Sequence, residues 1–413
     1  MVHRAGKGAM LVTWDIQNAF RNLALRAQDQ HLNGSWWKGM YQVDRAMPFG
    51  HVNSPSIWNR YAECLEWIHH NVDNIPLVLH YVDDFIMVVP VSGRESVVVE
   101  ALRAKTSILC TLWHLGVPVA PPPKLCGPST IGEHCGMRFD TVKGTVSIDG
   151  GKRKRYLDTL MSVWTAARVS FKDLESILGK LNYLSQLLEP GRAYRQHLQK
   201  LLYAWKKGNR GEGPMKEAHL SELEWWIKVL QEWNGVVLMR TLDWEMGADV
   251  LVYTDACKTG MGACTSDGRY ISADFSKNIL EAARREEEIS MPWLELLAVS
   301  AALLTWGPMW RGKRIAVYID CEPTHRALQT LSSTQPAMAY SLKQIAGDCV
   351  EFGVGWRVFR VPGKINPADL PSRVRVPVFN VFYEQDGKRI HLGGSLDVPR
   401  FPPIPDCTTR ATA

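Results

Sequence analysis

The stretch His80-Tyr81-Val82-Asp83-Asp84-Phe85 constrains this chain more than any other. Apolar runs flank it, Ile75-Pro76-Leu77-Val78-Leu79 before and Ile86-Met87-Val88-Val89 after. Their length and β-branched content predict two buried strands. Tyr81 to Asp84 is then the tip of a β-hairpin that carries two adjacent acids. Adjacent carboxylates repel, and burying them unpaired costs on the order of several kcal/mol. They are tolerated when exposed, when paired with basic groups, or when neutralised by a divalent cation.

A chain of 413 residues holds two or three domains. With 46% hydrophobic and 22% charged residues it has a globular composition. No apolar run approaches the roughly 20 residues that span a bilayer, so no membrane partner is expected. The opening Met-Val-His-Arg-Ala-Gly-Lys lacks the apolar segment of a secretory signal. Nine cysteines without a Cys-x-x-Cys pair predict a reducing compartment, cytoplasmic or nuclear, and neither a disulfide framework nor a zinc site. The formal net charge is +6, yet Gly151 to Arg210 holds 13 Lys/Arg against 4 Asp/Glu. That segment is more positive than the whole chain, so the remainder is slightly acidic.

Ala9 to Trp14 reads as a strand with Asp15 at its end, followed by a polar loop to Gly34 and a hairpin over Trp36 to Val43. Met47-Pro48-Phe49-Gly50 is a turn. Ser54 as N-cap with Pro55 behind it opens a helix whose apolar positions are Ile57, Tyr61, Cys64, Leu65 and Ile68. A second helix covers Ser96 to Leu115 and stops at Gly116. A strand-end Asp15 and a hairpin-tip Asp83-Asp84 on neighbouring strands can converge. Three such carboxylates suit two Mg²⁺ ions, with Mn²⁺ as an alternative.

These segments resemble the palm of a reverse transcriptase. Asp15 matches the first catalytic Asp and Tyr81-Val82-Asp83-Asp84 the signature turn, with Asp83 ahead of Asp84 as the shared metal ligand. Met47-Pro48-Phe49-Gly50 with Ser54-Pro55 is similar to the motif that positions template and nucleotide. The resemblance implies substrate contacts from Phe49 and Gly50, a ribose-excluding gate at Phe20, and a triphosphate-side lysine at Lys124. The basic segment that follows places Lys152-Arg153-Lys154-Arg155 at the start of one helix. It also predicts an amphipathic helix from Phe171 to Leu184 with Leu174, Ile177, Leu178, Leu181 and Leu184 on one face. Basic residues outside and apolar ones inside suit an element that follows a phosphate backbone, or simply a solvated basic surface.

A second set of acids lies further on. Val250 to Ala256 is a strand that carries Asp255 at its end. Leu294-Glu295-Leu296-Leu297 sits in the first turns of a helix, Arg314 to Ile319 is a strand before Asp320, and Asn366-Pro367-Ala368 precedes Asp369. One Asp after a strand is unremarkable; four acids in the order Asp, Glu, Asp, Asp in this context suit two Mg²⁺ ions and an activated water. This half resembles the ribonuclease H fused to retroelement polymerases, which implies Asp255, Glu295, Asp320 and Asp369 as metal ligands. Cys321 departs from that pattern, where an Asn often follows the third acid, and no His precedes Asp369.

The resemblance implies an α+β palm over residues 1–140 with its fingers largely missing, and a helical thumb and connection over 141–245. An α/β ribonuclease H-like domain over 246–375 and a loosely ordered tail over 376–413 complete it. It places the chain in the N-terminally truncated reverse transcriptase/ribonuclease H region of a retrotransposon polyprotein, of long-terminal-repeat or tyrosine-recombinase type. The expected activity is RNA-directed DNA synthesis with hydrolysis of the RNA–DNA hybrid. The expected partners are an RNA template, a DNA primer, the hybrid and deoxynucleoside triphosphates. A ribonuclease H-only enzyme and a non-catalytic nucleic-acid-binding relic are the alternatives.

Overall fold

The computed structural model describes residues 1–91, 96–208, 211–239, 247–284, 290–373, 381–385 and 388–392. It is a mixture of helices and sheets, as an α+β chain should be. Two compact units emerge: Met1–Arg155 with Trp233–Leu242, and Tyr156–Glu232 with Asp243–Ala413.

In the first unit, strands β1 (Met10–Asp15), β2 (Val78–Tyr81), β3 (Asp84–Val89) and β4 (Cys126–Ser129) form an antiparallel sheet in the order β2-β3-β1-β4. Both faces are apolar. Val12, Trp14, Phe85, Met87 and Val89 join the core that also holds residues of helices α1 (Ser54–Asn71) and α2 (Val97–His114). Leu11, Ile86 and Val88 face Ala5 and Ala9 on the other side. Cover on both faces is why these strands read as unbroken apolar runs instead of alternating ones.

Helix α1 corrects the sequence reading in two respects. Asn53, not Ser54, is the N-cap, and Ser54 Oγ donates instead to the carbonyl of Pro48 at 2.8 Å. Its buried stripe is Ser54, Trp58, Ala62, Leu65 and His69, while Ile57 and Cys64 are exposed. The buried face is rotated by about one position from the expected one, with Trp58 in the core and Trp67 left exposed. The hairpin expected near Trp36 forms from Gly34–Trp37 and Met40–Val43. Residues 131–147 add strands Ile131–His134, Met137–Asp140 and Thr145–Ser147, which pair with Val236–Leu238 in a second sheet.

In the second unit, strands β5 (Val250–Ala256), β6 (Gly260–Thr265), β7 (Tyr270–Asp274), β8 (Arg314–Ile319) and β9 (Gly355–Arg360) form one sheet in the order β7-β6-β5-β8-β9. β5, β8 and β9 run parallel; β6 and β7 complete it antiparallel. Helix α6 (Met291–Trp306) is buried almost all round, as a helix apolar on every face must be.

Helix α3 (Phe171–Leu184) buries all five of its expected leucines and isoleucine, and its N-cap Ser170 accepts from the Asp173 N–H. Helices α4 (Gln196–Lys207) and α5 (Glu217–Glu232) meet at Glu222, which is fully buried. Its carboxylate accepts from the backbone N–H groups of His197 and Leu198 and from Lys343 Nζ at 2.6 Å. Burial alone would raise this carboxyl; His197 and Lys343 hold it below the usual range. The segment read as a loosely ordered tail contains a hairpin, Val381–Gln385 against Lys388–Leu392; the rest of 376–413 lies outside the described residues. Among the described residues no helix is long and apolar enough to cross a membrane.

Candidate functional site

The hairpin between β2 and β3 closes at the Tyr81–Asp84 pair, leaving Val82-Asp83 as its two-residue turn. Val82 takes φ +59, an outlying conformation for a β-branched residue. Such strain, of order 1–3 kcal/mol, persists only where the surroundings hold it. Here Trp58 Nε1 donates to the Val82 carbonyl at 2.8 Å, and Ile16 N donates to the Asp83 carbonyl at 3.0 Å. Asp15 and Asp84 are directly opposed across β1 and β3.

The three acids are neighbours with different partners. Asp15 Oδ2 accepts from Lys124 Nζ at 2.7 Å, which raises the lysine's pKa. Burial, and then the Asp15 carboxylate, push the Asp83 carboxyl up. Asp84 turns elsewhere: Oδ2 accepts from the Cys135 backbone N–H at 2.9 Å, and Oδ1 lies 3.3 Å from His134 Nδ1. Asp15 and Asp84 both lie close enough to raise the Asp83 carboxyl, yet each makes its own polar contacts. Asp84 gathers with His134 and Cys135, whose ligand atoms all lie within 4.8 Å of its own. Nothing in the sequence pattern singled out these two residues, because they reach Asp84 only through the register of a remote hairpin.

Phe20 and Phe49 lie side by side, ring centroids 5.2 Å apart, and Phe20 meets the edge of Trp58 at 6.4 Å. Phe49 is exposed, and Gly50 follows at φ +86, which favours glycine. The residues expected to touch substrate thus lead, through Trp58, to the acidic turn. Trp58 was missed because a tryptophan in a helix reads first as packing.

The second unit assembles the denser site. Val252 pairs with Val317 and Tyr253 with Tyr318 in the parallel β5–β8 ladder, which brings Asp255 and Asp320 to the same end of the sheet. Glu295 joins them from the second turn of α6, and ligand oxygens of the three lie within 4.8 Å of one another. Asp255 and Glu295 are buried. Burial, only partly relieved by Ser372 and reinforced by Asp320, lifts the Asp255 carboxyl to about 6. Burial together with the charges of Asp255 and Asp320 lifts Glu295 to about 9. Glu295 Oε2 and Asp320 Oδ1 are buried and have no hydrogen-bond partner among the described residues. Clustered carboxylates with buried oxygens that lack donors fit a hard divalent cation, since all the ligands are oxygen.

Asp369, the expected fourth ligand, stands outside this group. Its Oδ1 accepts from Arg373 Nε at 2.8 Å and Nη2 at 2.7 Å, although its charge still raises Asp255 and Asp320. The short helix α7 (Asp369–Arg373) packs so closely on β6 that a Cβ on Gly262 would lie 2.4 Å from Ser372 N. Gly363 leaves room for Asp320 in the same way, since a Cβ there would be 2.8 Å from Asp320 Oδ2. Glu322, close after Asp320 in sequence, is exposed and paired with Arg360.

No family model matches the chain, and no curated protein matches it. Among solved structures it is similar to a foamy viral protease-reverse transcriptase in complex with RNA/DNA hybrid. That match has 17% identity and a TM-score of 0.42, and covers 91% of this chain and 46% of the other. A dRH form of the foamy viral protease-reverse transcriptase in complex with dsDNA gives 17% identity and a TM-score of 0.43, covering 86% and 57%. A third structure of that protein, with dsDNA, gives 18% and 0.41, covering 85% and 67%. This chain spans about half the length of the first two.

Proposed function

We propose that this protein is a nucleic-acid enzyme that hydrolyses the RNA strand of an RNA–DNA hybrid at Asp255, Glu295 and Asp320. The observation that carries the reading is the convergence of these three acids, with two buried and unpartnered carboxylate oxygens, at one end of a five-stranded mixed sheet. The sequence motifs around them, which resemble a ribonuclease H, point the same way. Divalent cations held there, Mg²⁺ or Mn²⁺, would supply Lewis-acid stabilisation and a water of lowered pKa.

The chain's own residues prepare the site. Ser372 donates to Asp255, and burial with the neighbouring acids raises the Glu295 carboxyl to about 9, so both acids would be ready to hold a cation. Asp369, half-buried and paired with the exposed Arg373, is a candidate for substrate contact. Basic residues between Lys152 and Lys207 are the candidates for backbone phosphates.

A second activity, RNA-directed DNA synthesis from a primer and deoxynucleoside triphosphates, is favoured by the pairing of Lys124 with Asp15 beside a raised Asp83. Two assays separate the sites. Asp83→Asn should abolish primer extension on an RNA template and leave hybrid hydrolysis intact; Asp255→Asn should do the reverse. A variant that removes both activities while the protein stays folded would argue against two independent centres.

A further inference from the structure

The hairpin Ile131–His134/Met137–Asp140 turns through Cys135 and Gly136, at φ +52 and +68. A left-handed Cys is uncommon outside glycine, asparagine and aspartate positions. Its consequence is that two consecutive side chains, His134 and Cys135, both reach the tip of β3. There the His134 Nδ1, the Cys135 Sγ and an Asp84 carboxylate oxygen lie within 4.8 Å of one another. His134 Nδ1 is buried and makes no hydrogen bond, although Asp84 Oδ1 is only 3.3 Å away. The nitrogen and the oxygen are near each other without forming a hydrogen bond.

We infer that Asp84, His134 and Cys135 form a second metal site, selective for a thiophilic divalent cation such as Zn²⁺ and distinct in chemistry from the all-oxygen cluster of the other unit. One sulfur, one imidazole nitrogen and one carboxylate oxygen are a ligand set that Mg²⁺ does not favour and Zn²⁺ does. Three protein ligands leave the fourth tetrahedral position for water. Bond lengths of about 2.0–2.3 Å require ligand atoms roughly 3.3–3.8 Å apart, a modest contraction from the arrangement present. Binding is balanced by a proton: the Cys135 thiol becomes a thiolate bound to the cation, and its proton leaves to solvent. No Cys-x-x-Cys spacing marks such a site, because Asp84 comes from 50 residues upstream of His134.

Co²⁺ titration of the chelator-treated full chain tests this, since cobalt bound to thiolate gives a charge-transfer absorption that oxygen ligands do not. The expected result is a saturable band that Zn²⁺ displaces and excess Mg²⁺ does not. It should vanish in Cys135→Ser and survive in Cys126→Ser and in Cys321→Ser, the last of which sits beside the all-oxygen cluster. His134→Gln should weaken Co²⁺ by at least the roughly tenfold that loss of a mere outer partner costs at such sites. Circular dichroism of each variant confirms that it is folded. The inference is overturned if wild type gives no thiolate band, if the band persists in Cys135→Ser, or if it depends on Cys321.

Discussion

The hydroxyl of Ser372 donates to Oδ2 of Asp255 at 2.5 Å, tying α7 to the end of β5. The backbone of α7 can come this close only because position 262 on the neighbouring strand has no side chain.

Gly262→Ala should therefore act on the site without touching an acid. Its Cβ would sit 2.4 Å from Ser372 N, 2.7 Å from Ala368 O and 2.8 Å from Pro371 C, all backbone atoms. Overpacking of this kind costs about 1–3 kcal/mol. The expected outcome is a lower denaturation midpoint together with slower hybrid hydrolysis. An unchanged midpoint would mean that α7 does not pack as described.

The acid cluster also predicts a pH dependence. Folded Asp255 and Glu295 titrate at about 6 and about 9, above their ordinary 3.8 and 4.5. Between those values the folded chain holds protons that the unfolded chain has released. Without divalent cations, stability should thus fall as pH rises through this range, and Glu295→Gln should remove most of the slope. Mg²⁺ should restore stability at the alkaline end. Chemical denaturation in chelator and in Mg²⁺ across that range checks it; a flat profile in chelator would contradict the arrangement of charges.

Trp58 is fully buried and holds the strained Val82 carbonyl. Trp58→Phe keeps most of the packing and leaves that carbonyl without its donor, a loss of about 1–3 kcal/mol. Primer extension should weaken more than hybrid hydrolysis, because the bond acts on the Val82-Asp83 turn. Equal effects on both activities would show that Trp58 serves general packing only.

Glu222→Gln should destabilise the second unit by about 1–3 kcal/mol, because the half-buried Lys343 and the His197 and Leu198 N–H groups lose their charged acceptor. The wild-type carboxyl is held below its usual range, so its contribution is present above the ordinary 4.5 and is lost as pH falls below it. The variant should show a smaller loss of stability on acidification, measured by thermal melts at acid and neutral pH.

Much of this architecture could be read from residue order. The strand-end positions of Asp15, Asp255 and Asp320 follow from apolar runs with an acid at the end, and the α3 stripe follows from its period. The reading failed where long-range packing decides. The buried face of α1 takes Trp58, Ala62 and His69 and leaves Ile57 and Trp67 exposed, a choice that neither side-chain bulk nor the count of apolar residues reveals. Asp84 was drawn to His134 and Cys135 by a hairpin whose short strands carry no strong apolar pattern. Asp369 pairs with Arg373 one helical turn on, an interaction that i,i+4 spacing makes visible in the sequence.

The cleavage rate of a labelled RNA strand in an RNA–DNA hybrid, wild type against Asp320→Asn, tests the central claim most directly. Loss of one oxygen ligand removes several kcal/mol of charge stabilisation, or about 10³-fold in rate. The account predicts hydrolysis that needs Mg²⁺ or Mn²⁺, stops in chelator, and falls by at least that factor in Asp320→Asn. Hydrolysis undiminished in Asp320→Asn, or none at all by the folded wild type in Mg²⁺, would contradict it.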